Sequence, residues 1–256
     1  MAMNTAMKSA SAEASARIDS ALNRSMMQLL DHVEYRLITG GEDLEAIYRL
    51  RYKSYLRSGM CSPIASGMFE DRWDNLPNSY RFGVYCYGEL VSTVRLHYIS
   101  TDQPYSPSVD AYPEVLLPRL ARGETFIDGT RFATDPDSAP APGVLPFLTL
   151  RICMAAYCYF RQTAMFIPIK LEHSAFYARF FSATQRTAGK AFPGVLPPLA
   201  LFEIPGNEEN VQRILHRLPF FRSTATEQRL MFGNPAINRL TPLSILPTAK
   251  YYRDAA

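Results

Sequence analysis

Glu70, Asp71 and Asp74 stand within five positions in the segment FEDRWDN, around the chain's single tryptophan, Trp73. Carboxylates grouped this way can cap a loop, pair with cations or take a proton from a substrate. Which of these holds depends on the arginines nearby. Arg51 lies in YRLRYKSY, Arg95 in VRLHY and Arg131 in FIDGTRFATD, where Asp128 precedes Arg131 by three residues. Arginine's planar fork grips carboxylates bidentately, so Arg51, Arg95 and Arg131 can join Asp71, Asp74 and Asp128 in one network. Read singly, the same acids fit a solvated loop, and the arginines fit surface positions with their stems along apolar ground.

Other chemistries find little support. Cys61, Cys86, Cys153 and Cys158 include no CxxC pair, and the last two share one expected helix in poor disulfide geometry. They read as reduced thiols of a cytoplasmic protein. The four histidines are scattered, with no HExxH or Cys/His cluster, so no metal site is expected. No Ser-His-Asp or Cys-His arrangement offers a nucleophile. A net charge of +3 excludes a strongly basic nucleic-acid binder. With 47% hydrophobic residues in 256, the chain can bury a sizeable core. No apolar run reaches the roughly 20 residues of a membrane span, and the N-terminus has no secretory h-region.

The elements that must position these residues follow from periodicity and punctuation. Residues 1–16 read as a disordered leader and 17–31 as a short amphipathic helix. VEYRLITG alternates as a strand. EDLEAIYRLRYKSYLRSG is a helix with Gly59 as its stop, and residues 59–79 form a long loop. YRFGVYCYGELVSTVRLHYIS reads as a hairpin broken at Gly88-Glu89. A short helix follows, then the strand TFIDGTRFAT, in which Gly129 suggests a bulge. Beyond the Pro-rich DPDSAPAPG come a buried helix near 144–162, the strand AMFIPIKLE, the helix HSAFYARFFSAT, the strand LPPLALFEIP and a helix in NEENVQRILHRL. The class is α/β (α+β), a mixed, mostly antiparallel twisted sheet flanked by helices. One domain is expected over 17–204, with a C-terminal helix and extended tail over 205–256 packed upon it.

This order, with these charges, resembles the GNAT-like acyltransferase fold. Within it the chain is similar to the acyl-homoserine-lactone synthases and the N-acyl amino acid synthases. Arg51 and Tyr55 match the Arg-x3-aromatic motif of the autoinducer synthases. Asp71 and Asp74 match their Asp-x2-Asp, Arg95 their "RL" strand, and Asp128 with Arg131 their Glu-x2-Arg-Phe, with Asp for Glu. The tryptophan that autoinducer synthases carry after the first motif is missing. The segment HSAFYARFF and the Gly- and Pro-containing stretch after it look more like the N-acyl amino acid synthases.

The resemblance implies transfer of a medium or long acyl chain from a thioester to the α-amine of an amino acid. Arg51, Tyr55, Asp71, Asp74, Arg95, Thr130, Arg131, Phe132 and Ala133 would then shape the substrate site, with backbone N–H groups near Gly129 and over 131–133 facing the developing oxyanion. Asp128 or Glu70 would be the general base. For Asp128 an ion pair stands as an equal alternative, because pairing weakens a base. Tyr177 would protonate the leaving thiol or be a core tyrosine. Phe147, Leu148, Ile152, Met165 and Phe166 would line the acyl chain or fill ordinary core.

No tightly bound cofactor is expected. In DPDSAPAPGVLPFL, prolines and acids replace the glycines that cradle pyrophosphate in acetyl-CoA enzymes, so the donor expected is an acyl-phosphopantetheine thioester on acyl carrier protein rather than on CoA. Arg151, Arg161, Lys170, Arg179, Arg186 and Lys190 could offer such an acidic partner a basic face. Two other readings stay open: an acyl-homoserine-lactone synthase using S-adenosylmethionine, and a GNAT-like protein that binds acyl chains or a partner without catalysis.

Overall fold

The computed structural model describes residues 20–138, 143–233 and 243–252. The expected leader lies outside these residues. An eight-stranded sheet forms the centre, in the order β6-β7-β5-β4-β3-β2-β1-β8. Its strands are β1 (Val33–Leu37), β2 (Ser79–Cys86), β3 (Glu89–Ile99), β4 (Phe126–Thr134), β5 (Ala164–Ile169), β6 (Thr184–Gln185), β7 (Ala200–Pro205) and β8 (Ser244–Ile245). Every pairing is antiparallel except β4 with β5. That parallel step needs a crossover, which residues 135–163 supply with helix α5 (Leu145–Phe160).

The central hairpin turns at Tyr87-Gly88, with φ of 53° and 82°. Two positive values mark the tight turn whose twist matches paired strands. Tyr87 tolerates its backbone because its ring stacks on His32 at 4.4 Å and its N–H bonds to the His32 carbonyl.

Helices cover both faces. On one lie α2 (Gly41–Arg57), α3 (Pro107–Ala111) and α4 (Pro113–Leu120); a first helix, α1, over residues 20–29, packs Met26 into the core of the other face. On α2 the buried stripe is Ile47, Tyr48, Arg51 and Tyr55, so an arginine occupies a core position. The chain leaves the helix through Ser58 and Gly59, whose φ of 67° suits glycine. On the opposite face α5 is buried almost all round from Leu145 to Tyr157. Beside it pack α6 (Ser174–Phe181), α7 (Glu208–Arg217) and α8 (Ala225–Phe232).

Among the described residues, the region expected as a helix and extended tail holds α7, α8 and β8. Thr224 caps α8, and β8 pairs with β1 to cover the sheet edge. Arg151 of α5 is fully buried and donates to the carbonyls of Phe220 (2.9 Å) and Arg222 (2.7 Å) and to the Glu227 carboxylate. Glu227 also accepts from the N–H and hydroxyl of Thr248. This clasp holds the C-terminal segment against the central helix. It also removes Arg151 from any surface, correcting its place in the expected basic face. In that set Arg186 pairs with Glu203, Lys190 with Glu114 and Lys170 with Glu172.

Candidate active site

The site begins where two strands part. Strand β5 pairs with β4 only from Phe126–Ala164 to Asp128–Phe166, yet it stays paired with β7 through Ile169. From Gly129 onward β4 keeps its β3 neighbour but has no β5 partner. Strand β4 also carries one extra residue: Thr93 faces Ala133 and Arg95 faces Thr130. Arg131 and Phe132 therefore share one position opposite Val94, and Arg131 takes a φ of 54°. This is a β-bulge with a non-glycine residue in the left-handed region, a strained arrangement that re-aims side chains. The bulge sits two residues beyond Gly129, which itself pairs regularly with Leu96.

The bulge sends Arg131 into the loop before β2. Asp71 accepts from Arg131 (Nε at 2.8 Å, Nη2 at 2.6 Å) and from Arg95 at 2.5 Å. Asp74 accepts from Arg51 at 2.8 Å and Arg95 at 3.0 Å. The two acids also cap each other's turn: Asp71 accepts from the Trp73 N–H and Asp74 from the Asp71 N–H. Burial works against both carboxylates, but Arg95 and Arg131 hold Asp71 well below the usual range, and Arg51 and Arg95 do the same for Asp74. Arg131 also donates to the Pro193 carbonyl and lies 4.8 Å from the Phe69 ring. One network thus ties α2, the 69–75 loop, β3, β4 and the 190–199 segment together.

Asp128 is outside this network. It is fully buried and accepts from the Ser108 N–H (3.1 Å) and hydroxyl (2.7 Å) at the start of α3. Burial raises its carboxyl, with the Ser108 and Ser106 hydroxyls offsetting part of the rise. Arg131, three residues on, is engaged by Asp71 instead. Glu70 is exposed, at the outer end of the loop.

Opposite Asp128 on β3 stands His97, fully buried, with Nε2 donating to the Trp73 carbonyl at 2.9 Å. Burial, then Arg95, lowers its pKa from 6.5 to about 3. Between these values the unfolded chain binds a proton that the folded chain refuses, so stability falls as pH falls through this window. Asp128, with its raised carboxyl, works in the opposite sense. Thermal melts should show Tm dropping as pH falls below about 6.5. His97→Gln should flatten that slope; an unchanged slope would place the acid sensitivity elsewhere.

A cavity of about 470 Å³ opens between the parted strands and passes through the sheet. Its volume is ordinary for a small-molecule site. Toward α2 it is lined by Ser54, Tyr55, Ser58 and Met60, with Phe192, Val195 and Leu199 beside them. Toward α5 and α6 it is lined by Pro146, Leu150, Cys153, Phe176 and Tyr177. The walls between are β4 from Gly129 to Thr134 and β5 from Ile167 to Ile169, followed by Lys170 and His173.

Of the residues expected at a site, Tyr55, Thr130, Arg131, Phe132, Ala133 and Tyr177 line this cavity. Arg51, Asp71, Asp74 and Arg95 stand behind the wall and brace it, Arg95 through a 3.3 Å bond to the Thr130 hydroxyl. Asp128 and Glu70 do not reach the lining. Phe147, Leu148, Ile152, Met165 and Phe166 are buried in the core instead; the same two elements contribute Pro146, Leu150, Cys153, Ile167 and Ile169 to the cavity. Lys170, expected on a basic face, and His173, the first residue of the HSAFYARFF segment, carry functional groups on the wall. Among the described residues no cluster of potential metal ligands exists, and no helix is long and apolar enough to cross a membrane.

Residues 46–205 match the family model of the N-acyl amino acid synthase FeeM. The chain belongs to that family. It spans the braced loop, the bulged β4, the cavity and β7. Among solved structures, FeeM from uncultured soil microbes superposes with a TM-score of 0.55 at 17% identity, over 69% of this chain and 92% of that one. The acyl-homoserine-lactone synthase LasI gives 0.49 at 14% identity, over 79% and 93%. The CoA-dependent acyl-homoserine-lactone synthase BjaI gives 0.48 at 14% identity, over 69% and 82%. No curated protein matches by sequence. The fold is that of the GNAT-like acyltransferases, and this member of the FeeM family is an acyltransferase of the N-acyl amino acid synthase type.

Proposed function

We propose that the protein transfers a medium or long acyl chain from an acyl carrier protein thioester to the α-amine of an amino acid. The observation that carries this reading is the cavity through the parted strands. Its α5/α6 side is apolar and suits a fatty chain, with Leu150, Ile167, Ile169 and Phe176 as walls. Its α2 side offers the hydroxyls of Ser54, Ser58 and Tyr55 to a polar acceptor. The bulged backbone over 131–133 stands between them, where N–H groups on the unpaired edge can face the oxyanion that forms when the amine attacks the carbonyl. Arg51, Arg95, Arg131, Asp71 and Asp74 act as positioning residues for that edge. Tyr177 stands near the thioester end. Burial pushes its hydroxyl well above a thiol's pKa of about 8.5, so it stabilises the leaving thiolate as a hydrogen-bond donor rather than giving up its proton. Asp128 anchors α3 beneath the sheet.

A carrier-protein donor is favoured by what surrounds the loop after β4. Asp135 and Asp137 are held by Lys53 and Arg57 of α2, leaving these cations engaged rather than free for a pyrophosphate. Purified protein should acylate amino acids faster from an acyl carrier protein thioester than from the same acyl group on CoA, with products read by mass spectrometry. Equal or better use of acyl-CoA would refute the donor assignment. Leu150→Trp should shift the preference toward shorter chains by narrowing the apolar half of the cavity; an unchanged chain-length profile would remove that half from the acyl site.

A further inference from the structure

Acyl transfer to an amine needs a proton acceptor, because an α-ammonium has no lone pair with which to attack. The cavity wall limits the choice. Among the described residues its titratable side chains are Tyr55, Arg131, Cys153, Lys170, His173 and Tyr177. None is a carboxylate. Arg131 is bound by Asp71 and the Pro193 carbonyl. Burial pushes the Cys153 thiol up to about 12, and burial also raises Tyr177, so both stay protonated at neutral pH. Lysine and arginine are cations under the same conditions.

The Tyr55 hydroxyl donates to the Phe132 carbonyl at 3.4 Å, which leaves His173 as the remaining group. It precedes α6, and with Phe176 and Tyr177 it forms the face of that segment turned to the cavity. Its side chain is 56% exposed, and it is not spent on capping α6. Its ring makes no hydrogen bond among the described residues; the nearest acid is Glu172, 3.7 Å from Nε2 and itself held by Lys170 at 2.5 Å. Imidazole is the one side chain whose ordinary proton affinity lies near neutrality.

We infer that His173 is the general base of the transfer, accepting a proton from the acceptor's α-ammonium at the cavity wall. The inference rests on the acyl-transfer reading of the cavity. The freed amine attacks the thioester carbonyl carbon; the C–N bond forms and the carbonyl π pair moves to oxygen. As that pair returns, the C–S bond breaks and the thiolate leaves. The imidazolium gives its proton to the thiolate, and the nitrogen's surplus proton passes to solvent. The products are an amide, a free thiol and one proton.

The test uses the full-length protein, a medium-chain acyl carrier protein thioester and pooled amino acids, with thiol release followed over pH. His173→Gln should lower kcat by about 100-fold or more, with KM for the thioester nearly unchanged. The acid limb of the wild-type profile should vanish in that variant. Glu172, Lys170 and Tyr177 on its own segment, and Arg131, Tyr55 and Cys153 on the other walls, remain to set any residual profile. Added imidazole should restore part of the rate to His173→Ala. An active wild type with a His173→Gln variant within a few-fold of it, or an acid limb that persists, overturns the inference and leaves acyl transfer standing. A wild type with no transfer from any thioester overturns the acyl-transfer reading and this inference with it.

Discussion

Asp71→Asn is expected to lower stability more than any single change in the lining itself, and to lower activity with it. The substitution keeps the shape of the side chain but removes the charge that faces Arg95 and Arg131, which are 0% and 2% exposed. Breaking a buried ion pair leaves an uncompensated charge, at a cost of about 3–5 kcal/mol. Arg131 also holds a strained backbone, and that strain persists only while its surroundings fix it. Released from Asp71, the bulge should relax and shift the backbone edge that faces the cavity. Misplacement of that kind costs about 100-fold in rate. Urea unfolding with a turnover assay checks both parts. Asp71→Asn with wild-type stability and turnover would show that the network is not what braces the site.

The second large effect is expected far from the cavity. Glu227→Ala leaves Arg151 charged and enclosed in α5, with no carboxylate beside the carbonyls of Phe220 and Arg222 and the Tyr35 ring. It also strips Thr248 of the acceptor for its N–H and hydroxyl. The expected loss is again about 3–5 kcal/mol, read as a lower denaturant midpoint. Replacing both partners by methionine should recover much of it, since the cost lies in the lone buried charge rather than in losing the pair. A single variant as stable as the wild type would mean that the C-terminal segment contributes little to holding α5. Arg151 and the cavity are linked through α5, which also carries Leu150 and Cys153 into the lining.

Much of the site was legible because charge has few ways to be buried. Arg51, Arg95 and Arg131 fall on a helix and two strands, and Asp71 and Asp74 on the loop that crosses them. Once those elements pack, the acids are the partners within reach. Asp128 stood apart for a reason that sequence does not carry. Its partner, Ser108, comes from a five-residue helix folded beneath the sheet, twenty positions away. The residues expected along the acyl chain lie off the cavity, which α5 and β5 line with Pro146, Leu150, Cys153, Ile167 and Ile169 instead. Helix α5 is apolar all round, so hydropathy gives no phase to separate Leu150 and Cys153 from Phe147, Leu148 and Ile152. On β5 the cavity begins at Ile167, past the point where the strand leaves β4, and a parting of strands has no signature in either sequence. His173 was visible as a residue near a helix start, but only the sheet's geometry turns it to the cavity. The C-terminal strand β8 has two residues, too short for any periodicity.

On this reading an amine takes an acyl group within the cavity between β4 and β5. The most direct test is mass spectrometry of lipid extracts from cells expressing the wild type, beside cells expressing a folded variant in which the cavity is filled by Ile167→Trp. An N-acyl amino acid is expected in the first extract, with its loss, or a marked fall, in the second. An acyl-homoserine lactone in place of the N-acyl amino acid, or a product undiminished by the filled cavity, would contradict it.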